Sequence, residues 1–179
     1  MSTSNAETGA GPMVEFTIRQ GQPGDSARCQ EIAVAAWQPI HDVRRRLLGP
    51  RIYERVSAGW REAKAADVGR VFEHRPEWTR VAVVRDEHGH EQVAGFVTFQ
   101  LRDEAQIGVI GNNAVDPAFA RRGIATALYR HVLDVFRAAG MQVAQVTTGL
   151  DEGHAPALLA YRKVGFTAEA PSVTLYQEL

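Results

Sequence analysis

The stretch Val115–Gly140, VDPAFARRGIATALYRHVLDVFRAAG, joins the end of a strand to an amphipathic helix. Ala114-Val115 closes an apolar run, and Asp116-Pro117 breaks it, because proline has no N–H to give to a ladder. Further on, Ile124, Ala127, Leu128, Val132, Val135, Phe136 and Ala139 recur at helical spacing on one face. Arg130, Asp134 and Arg137 take the opposite face, and Gly140 supplies a stop that suits a left-handed residue. The opening turn carries the chemistry. The first N–H groups of a helix have no internal partner, and the macrodipole puts partial positive charge there. Gly123 and Ala125 keep this turn thin, while Arg121 and Arg122 add full charges beside it. Arg121, Arg122, Gly123, Ile124, Ala125 and Thr126 therefore form a candidate phosphate-binding turn.

Working outward, Val14–Arg19 alternates as a half-buried strand. A helix follows Gln22-Pro23-Gly24-Asp25, carries Cys29, Ile32, Ala33 and Ala36 inward, and is expected to end near Trp37-Gln38-Pro39. A second helical region spans Val43–Ala66, interrupted at Gly49-Pro50, and holds Arg44-Arg45-Arg46. That triplet reads as a solvated face or as a rim that attracts an acidic substrate. Val81–Arg85 and Gln92–Leu101 flank the turn residues Asp86–His90 as a hairpin. Ile107–Val115 is the strand that feeds the central motif, and Gln142–Thr148 is a further strand. Ala155–Val164 is a short helix, and Ser172–Gln177 alternates as a closing strand. Strands outnumber crossover helices, so the sheet is mixed.

Composition bounds the rest. At 179 residues, one domain over 13–179 is the default, and Met1–Pro12, without an apolar run, reads as a disordered tail. Twenty basic and 21 acidic residues nearly cancel, so there is no electrostatic case for nucleic acid or a membrane surface. The single cysteine, Cys29, fits a reducing cytoplasm and cannot form an intrachain disulfide. No run reaches the ~18 apolar residues of a membrane span. His88-Gly89-His90 lacks further ligands at metal spacing and reads as a solvated loop, so no metal is expected.

Two motifs together resemble the GNAT superfamily of N-acetyltransferases. The first, Gln/Arg-x-x-Gly-x-Gly/Ala, falls on Ala120–Ala125, with Gly123 and Ala125 matching and Ala120 departing. The second, Asn-x-x-Ala-x-x-x-Tyr followed by Gly-Phe, falls on His154–Phe166. Ala157, Tyr161, Gly165 and Phe166 match there, while His154 replaces the usual Asn. His154, Ala157, Leu158 and Tyr161 share one helical face.

The resemblance implies a mixed sheet of six to seven strands with about four helices and a splayed parallel pair, in whose gap acetyl-CoA sits. It implies direct transfer of the acetyl group to a primary amine of a small molecule or protein. The pyrophosphate would lie on the turn at Arg121–Thr126, and the thioester carbonyl would take an N–H near Val115. Tyr161 would protonate the departing thiolate, and His154 would contact the pantetheine or serve only as a helix start. The family's frequent strand Glu is missing, with Asn112 and Asn113 in its place, able to position an acceptor but not to act as bases. His41, a water chain, Asp103 and Glu104 remain as candidates for the base. Trp37 is a candidate lining residue of the acceptor pocket. Dimerisation is common in the family, and a homodimer is the corresponding partner expectation. Two rival readings are a non-catalytic acyl-CoA sensor and a toxin-like acetyltransferase acting on aminoacyl-tRNA.

Overall fold

In the computed structural model, which describes residues 15–86 and 88–179, β1 (Phe16–Gln20), β2 (Thr79–Arg85), β3 (Glu91–Arg102), β4 (Ile107–Val115) and β5 (Val143–Val146) form one sheet in that order. The first three pairings are antiparallel and the last is parallel. Helices α1 (Ser26–Val56) and α2 (Trp60–His74) cover one face, and α3 (Ile124–Ala138) and α4 (Ala155–Lys163) the other.

Strand alternation sorts the two cores. Val81 and Val83 of β2 pack with Cys29, Ile32, Ala33, Val68 and Phe72 of α1 and α2. Ala82 and Val84 pack with Ile124, Leu128, Val132 and Phe136 of α3. Each fully buried aliphatic or aromatic side chain contributes roughly 1.5–3 kcal/mol. Gly108 of β4 sits directly under the buried Phe136 ring, where a Cβ would collide with the ring carbons. That ring is wedged edge-on to Phe99 at 5.6 Å and cannot swing aside without opening the core. Gly108→Ala is expected to destabilise by about 1–3 kcal/mol. Thermal unfolding should show a Tm several degrees lower, while Gly24→Ala, where a Cβ meets nothing within 4 Å, should leave Tm nearly unchanged.

The mixed sheet and the parallel pair agree with the sequence reading, but there are five strands among the described residues rather than six or seven. Residues 172–177 form no strand. Alternation marks which face a strand would bury, but it does not supply an edge to pair with. Here the segment is held over α1 by Arg44–Tyr176 and Arg51–Glu178, leaving Val173 80% and Leu175 85% exposed. β5 is thus an edge strand, shorter than Gln142–Thr148, and a cavity of about 310 Å³ lined by Leu133, Ala144, Val164 and Phe166 opens beside it. Helix α1 runs through Pro39 and breaks at Gly49, whose φ of 72° and ψ of 164° are not helical. The turn between α1 and α2 falls at Ser57–Gly59, so α2 extends well past Ala66. Residues 1–12 and Val14 lie outside the described residues.

Candidate active site

The gap between β4 and β5 organises the site. The two strands pair only from Ile107↔Val143 to Ile110↔Val146, and beyond that point β4 continues alone to Val115. Against β3, Asn113 lies opposite Val97 and Ile110 opposite Phe99, so β4 carries one extra residue at Gly111-Asn112. That bulge resets the alternation. Asn112 turns to the α1–α2 face, where Lys64 Nζ donates to its Oδ1 at 2.9 Å. Asn113 turns to the α3–α4 face, among Tyr129 and Tyr161.

The backbone at Val115 points into the gap. The Asp116 N–H donates to Ala94 O at 2.8 Å, which makes Val115 opposite Gly95 a non-hydrogen-bonded pair. Its own N–H and C=O therefore face away from β3. Helix α3 begins immediately beside this point: a Cβ on Gly95 would lie 3.2 Å from both Ile124 Cγ2 and Val115 Cγ2. The loop between is fastened by Asp116, which accepts from the Ala118 N–H at 2.8 Å and ion-pairs with Arg28 of α1.

The turn then takes Arg121 at φ 61° and Gly123 at φ 81°. None of the backbone N–H groups of residues 121–126 donates a hydrogen bond within the described chain, and no side chain caps the helix. A Cβ on Gly123 would meet nothing within 4 Å, so the turn is open to an approaching ligand. A left-handed residue followed by a helix start, with successive N–H groups unpartnered, is a fitting seat for a diphosphate.

Tyr161 of α4 is only 4% exposed, and its hydroxyl meets Asn113, accepting from Nδ2 at 2.9 Å. Tyr129 donates to Asn113 Oδ1 at 2.7 Å, with its ring centroid 4.6 Å from that of Tyr161. Burial pushes the Tyr161 phenol above its usual range, against the lowering effect of its hydrogen bonds, so it stays protonated at neutral pH. Tyr129 was absent from the sequence reading. The signal was its place one residue after Leu128, on the buried side of α3.

His41 stacks on Trp60 at 3.8 Å and lies 3.2 Å from the Tyr53 hydroxyl. Burial, with Arg44, Lys64 and Arg61 nearby, pushes its imidazolium down to about 4. A group that weak is a poor acceptor for an ammonium proton, which argues against His41 as the base. Asp103 and Glu104 lie in the turn between β3 and β4, at the end of β4 remote from Val115.

His154 is held differently. Its Nδ1 lies 2.7 Å from Asp151 Oδ2, and its ring stands edge-on to Trp37 at 6.3 Å. Burial alone would raise the Asp151 carboxyl, but hydrogen bonds from His154 and from the Gly153 and His154 N–H groups hold it below its usual range. An Nδ1–H donated to that carboxylate leaves Nε2 as the basic nitrogen. Trp37 also carries Lys64 over its ring, at 3.4 Å. Trp37, Asn112 and Lys64 thus meet on the α1–α2 side of β4, with His154 at their margin. Asp151 and Lys64 were not identified from sequence.

Cys29 is fully buried, and its thiol is pushed up to about 12, chiefly by burial. It has almost no thiolate at neutral pH. Among the described residues no group of three or more His, Cys, Asp or Glu could hold a metal ion, and no helix is long and apolar enough to cross a membrane.

A strand that splays from its parallel neighbour beside an open helix start defines a class, the coenzyme A-dependent acyltransferases. Residues 47–166 match the pattern of the Acetyltransferase (GNAT) family, and the chain belongs to that family. By that membership it is an acyltransferase. Solved structures share the fold. The PaiA N-acetyltransferase of Thermoplasma acidophilum, solved with coenzyme A, superposes at a TM-score of 0.63 with 13% identity, over 88% of this chain and 93% of its own. A GNAT family acetyltransferase from Brucella melitensis, solved with acetyl-CoA, gives 0.56 and 24%, over 86% and 84%. An aminoglycoside acetyltransferase from an uncultured soil metagenomic sample gives 0.55 and 20%, over 92% and 99%. No curated protein matches the sequence significantly.

Proposed function

We propose that this protein transfers the acetyl group of acetyl-CoA directly to a primary amine, in a ternary complex and in the cytoplasm. The observation that carries the proposal is a convergence at one end of β4: the unpartnered N–H groups of residues 121–126, the outward-facing Val115 N–H and the buried Tyr161 phenol. The N–H groups, with Arg121 and Arg122, hold the diphosphate of the coenzyme. Val115 N–H donates to the thioester oxygen as negative charge builds on it.

The acceptor arrives as an ammonium and must lose a proton before it attacks. His154 Nε2, with its ring set by Asp151, takes that proton. The amine lone pair then forms the new N–C bond, the C–S bond breaks, and the thiolate takes the Tyr161 phenol proton. Solvent returns a proton to the phenolate and removes the one on His154. Cys29 takes no part, and no acyl-enzyme forms.

An acceptor screen that follows thiol release from acetyl-CoA tests the whole scheme; binding of acetyl-CoA without turnover on any amine contradicts it. His154→Gln is expected to lower kcat by about 10²-fold with the KM for acetyl-CoA within a few-fold of wild type. Asp151→Asn should reproduce most of that loss, and the double variant should be little worse than either single one. A loss confined to the KM for acetyl-CoA would make His154 a pantetheine contact instead.

A further inference from the structure

Several cations of this chain are already paired. Arg19 meets Asp25, Arg28 meets Asp116, Arg46 meets Glu152, Arg51 meets Glu178, and Arg70 meets Asp67. Of the cations that make no salt bridge among the described residues, two groups stand near the free end of β4. One is the Arg121-Arg122 pair in the α3 turn, where the proposed diphosphate accounts for them. The other, on α1 and α2, comprises Arg44, Arg61 and Lys64, and nothing in the reaction so far uses them.

This second group is built into the acceptor side of the gap. Lys64 Nζ is fixed between the Trp37 ring and Asn112 Oδ1, with no carboxylate of the described residues within ion-pair reach. Arg61 lies over the Trp60 ring at 4.7 Å and donates to the Gln38 side chain. Arg44 donates to the Tyr176 hydroxyl at 2.9 Å, and its Nε is buried with no partner at all. Of the neighbouring carboxylates, Asp67 pairs with Arg70 and Glu152 with Arg46, while Asp42, bonded by the Gln38 amide at 2.7 Å, and Asp151, bonded by His154, keep their charge. An excess of charge of one sign, lining an aromatic cleft, draws in a ligand of the opposite sign.

We propose that the α1–α2 side of the cleft is an acceptor site for an amine that also bears an anionic group, held by Lys64 with Arg61 and Arg44 around it. The proposal rests on the transfer reaction proposed above, and it assigns the chemistry of the acceptor. Lys64 anchors the anion beside Trp37, and the amine then lies between Asn112 and His154, toward Val115. Polycationic amines are repelled by the same charges. The anion is a carboxylate or a phosphonate, and the arms of the test separate the two.

The test uses the full chain and matched acceptors: an amino acid, its aminophosphonic analogue, its carboxamide, and the amine lacking the acidic group, with a linear polyamine as the cationic arm. The expected result is a kcat/KM about 10- to 100-fold higher for an anionic acceptor than for its uncharged partner. Lys64→Met should erase most of that preference by raising the acceptor KM, with CoA affinity by calorimetry unchanged. Arg61→Gln, on the exposed rim, should lower the preference less and guards against a folding defect in the first variant. A higher kcat/KM for the uncharged or cationic amine, or turnover on no anionic amine, overturns the acceptor assignment. Loss of CoA binding by the wild-type chain would instead overturn the transfer reaction itself.

Discussion

Gly123→Glu is expected to abolish coenzyme binding and to leave the fold in place. The packing cost is small, because a Cβ at Gly123 meets nothing within 4 Å. The conformational cost is real, since the residue sits at φ 81°, and an L-residue there loses roughly 1–2 kcal/mol. In a chain of this size that lowers Tm by only a few degrees. The effect on binding is far larger. The new carboxylate lies among the unpartnered N–H groups of residues 121–126 and occupies them as a diphosphate would, with charge of the same sign as the ligand. Affinity for CoA, measured calorimetrically, should fall by at least about 100-fold. Gly123→Ala carries the same backbone strain without the charge and should retain most of the affinity. Wild-type affinity in the glutamate variant would remove the turn from the site.

Tyr161→Phe is expected to lower kcat by about 10²-fold while CoA affinity stays within a few-fold of wild type. The substitution is structurally mild. Asn113 Nδ2 keeps the Gly111 carbonyl at 3.0 Å, and Asn113 Oδ1 keeps the Tyr129 hydroxyl, so no buried amide group is orphaned. The ring retains its contacts with Tyr129 and Phe166. What disappears is the Tyr161 phenol proton, while that of Tyr129 stays on Asn113 Oδ1. Single-turnover release of CoA thiol, followed spectroscopically, reads the step directly. Unchanged kcat would hand the role of acid to solvent or to Tyr129.

Much of this was legible along the chain. The α3 motif carried its own boundaries: an apolar stripe, a glycine before the helix and a glycine after it. The helix start after Gly123 was legible because backbone geometry there is dictated locally. The buried place of Tyr161 on α4 was legible through the offsets of its helix. The shortfalls share one origin, which is that contacts between distant segments leave little local trace. The Ser172–Gln177 alternation is genuine, but whether an edge receives it depends on Arg44 and Arg51, over a hundred residues away. Pro39 reads as a helix end, yet tertiary packing carries α1 past it. Lys64 and Asp151 are ordinary charged residues until α2 and the loop before α4 bring them to Trp37 and His154. His41 reads as a base by residue type, whereas burial against Trp60 and Tyr53, with cations nearby, lowers its basicity.

The extra residue in β4 has a lasting consequence for how such a protein diversifies. It sets the parity of the strand end, so that positions 112 and 114 belong to one chamber and positions 113 and 115 to the other. In the proposed reaction the strand is a partition wall between the compartment that meets a variable guest and the one that meets an invariant coenzyme. Exchanges at 112 can therefore retune the first compartment while the second is left untouched. Gaining or losing a single residue there would swap the two sets at once, so new specificities are reached by replacing side chains and not by changing the length of the wall.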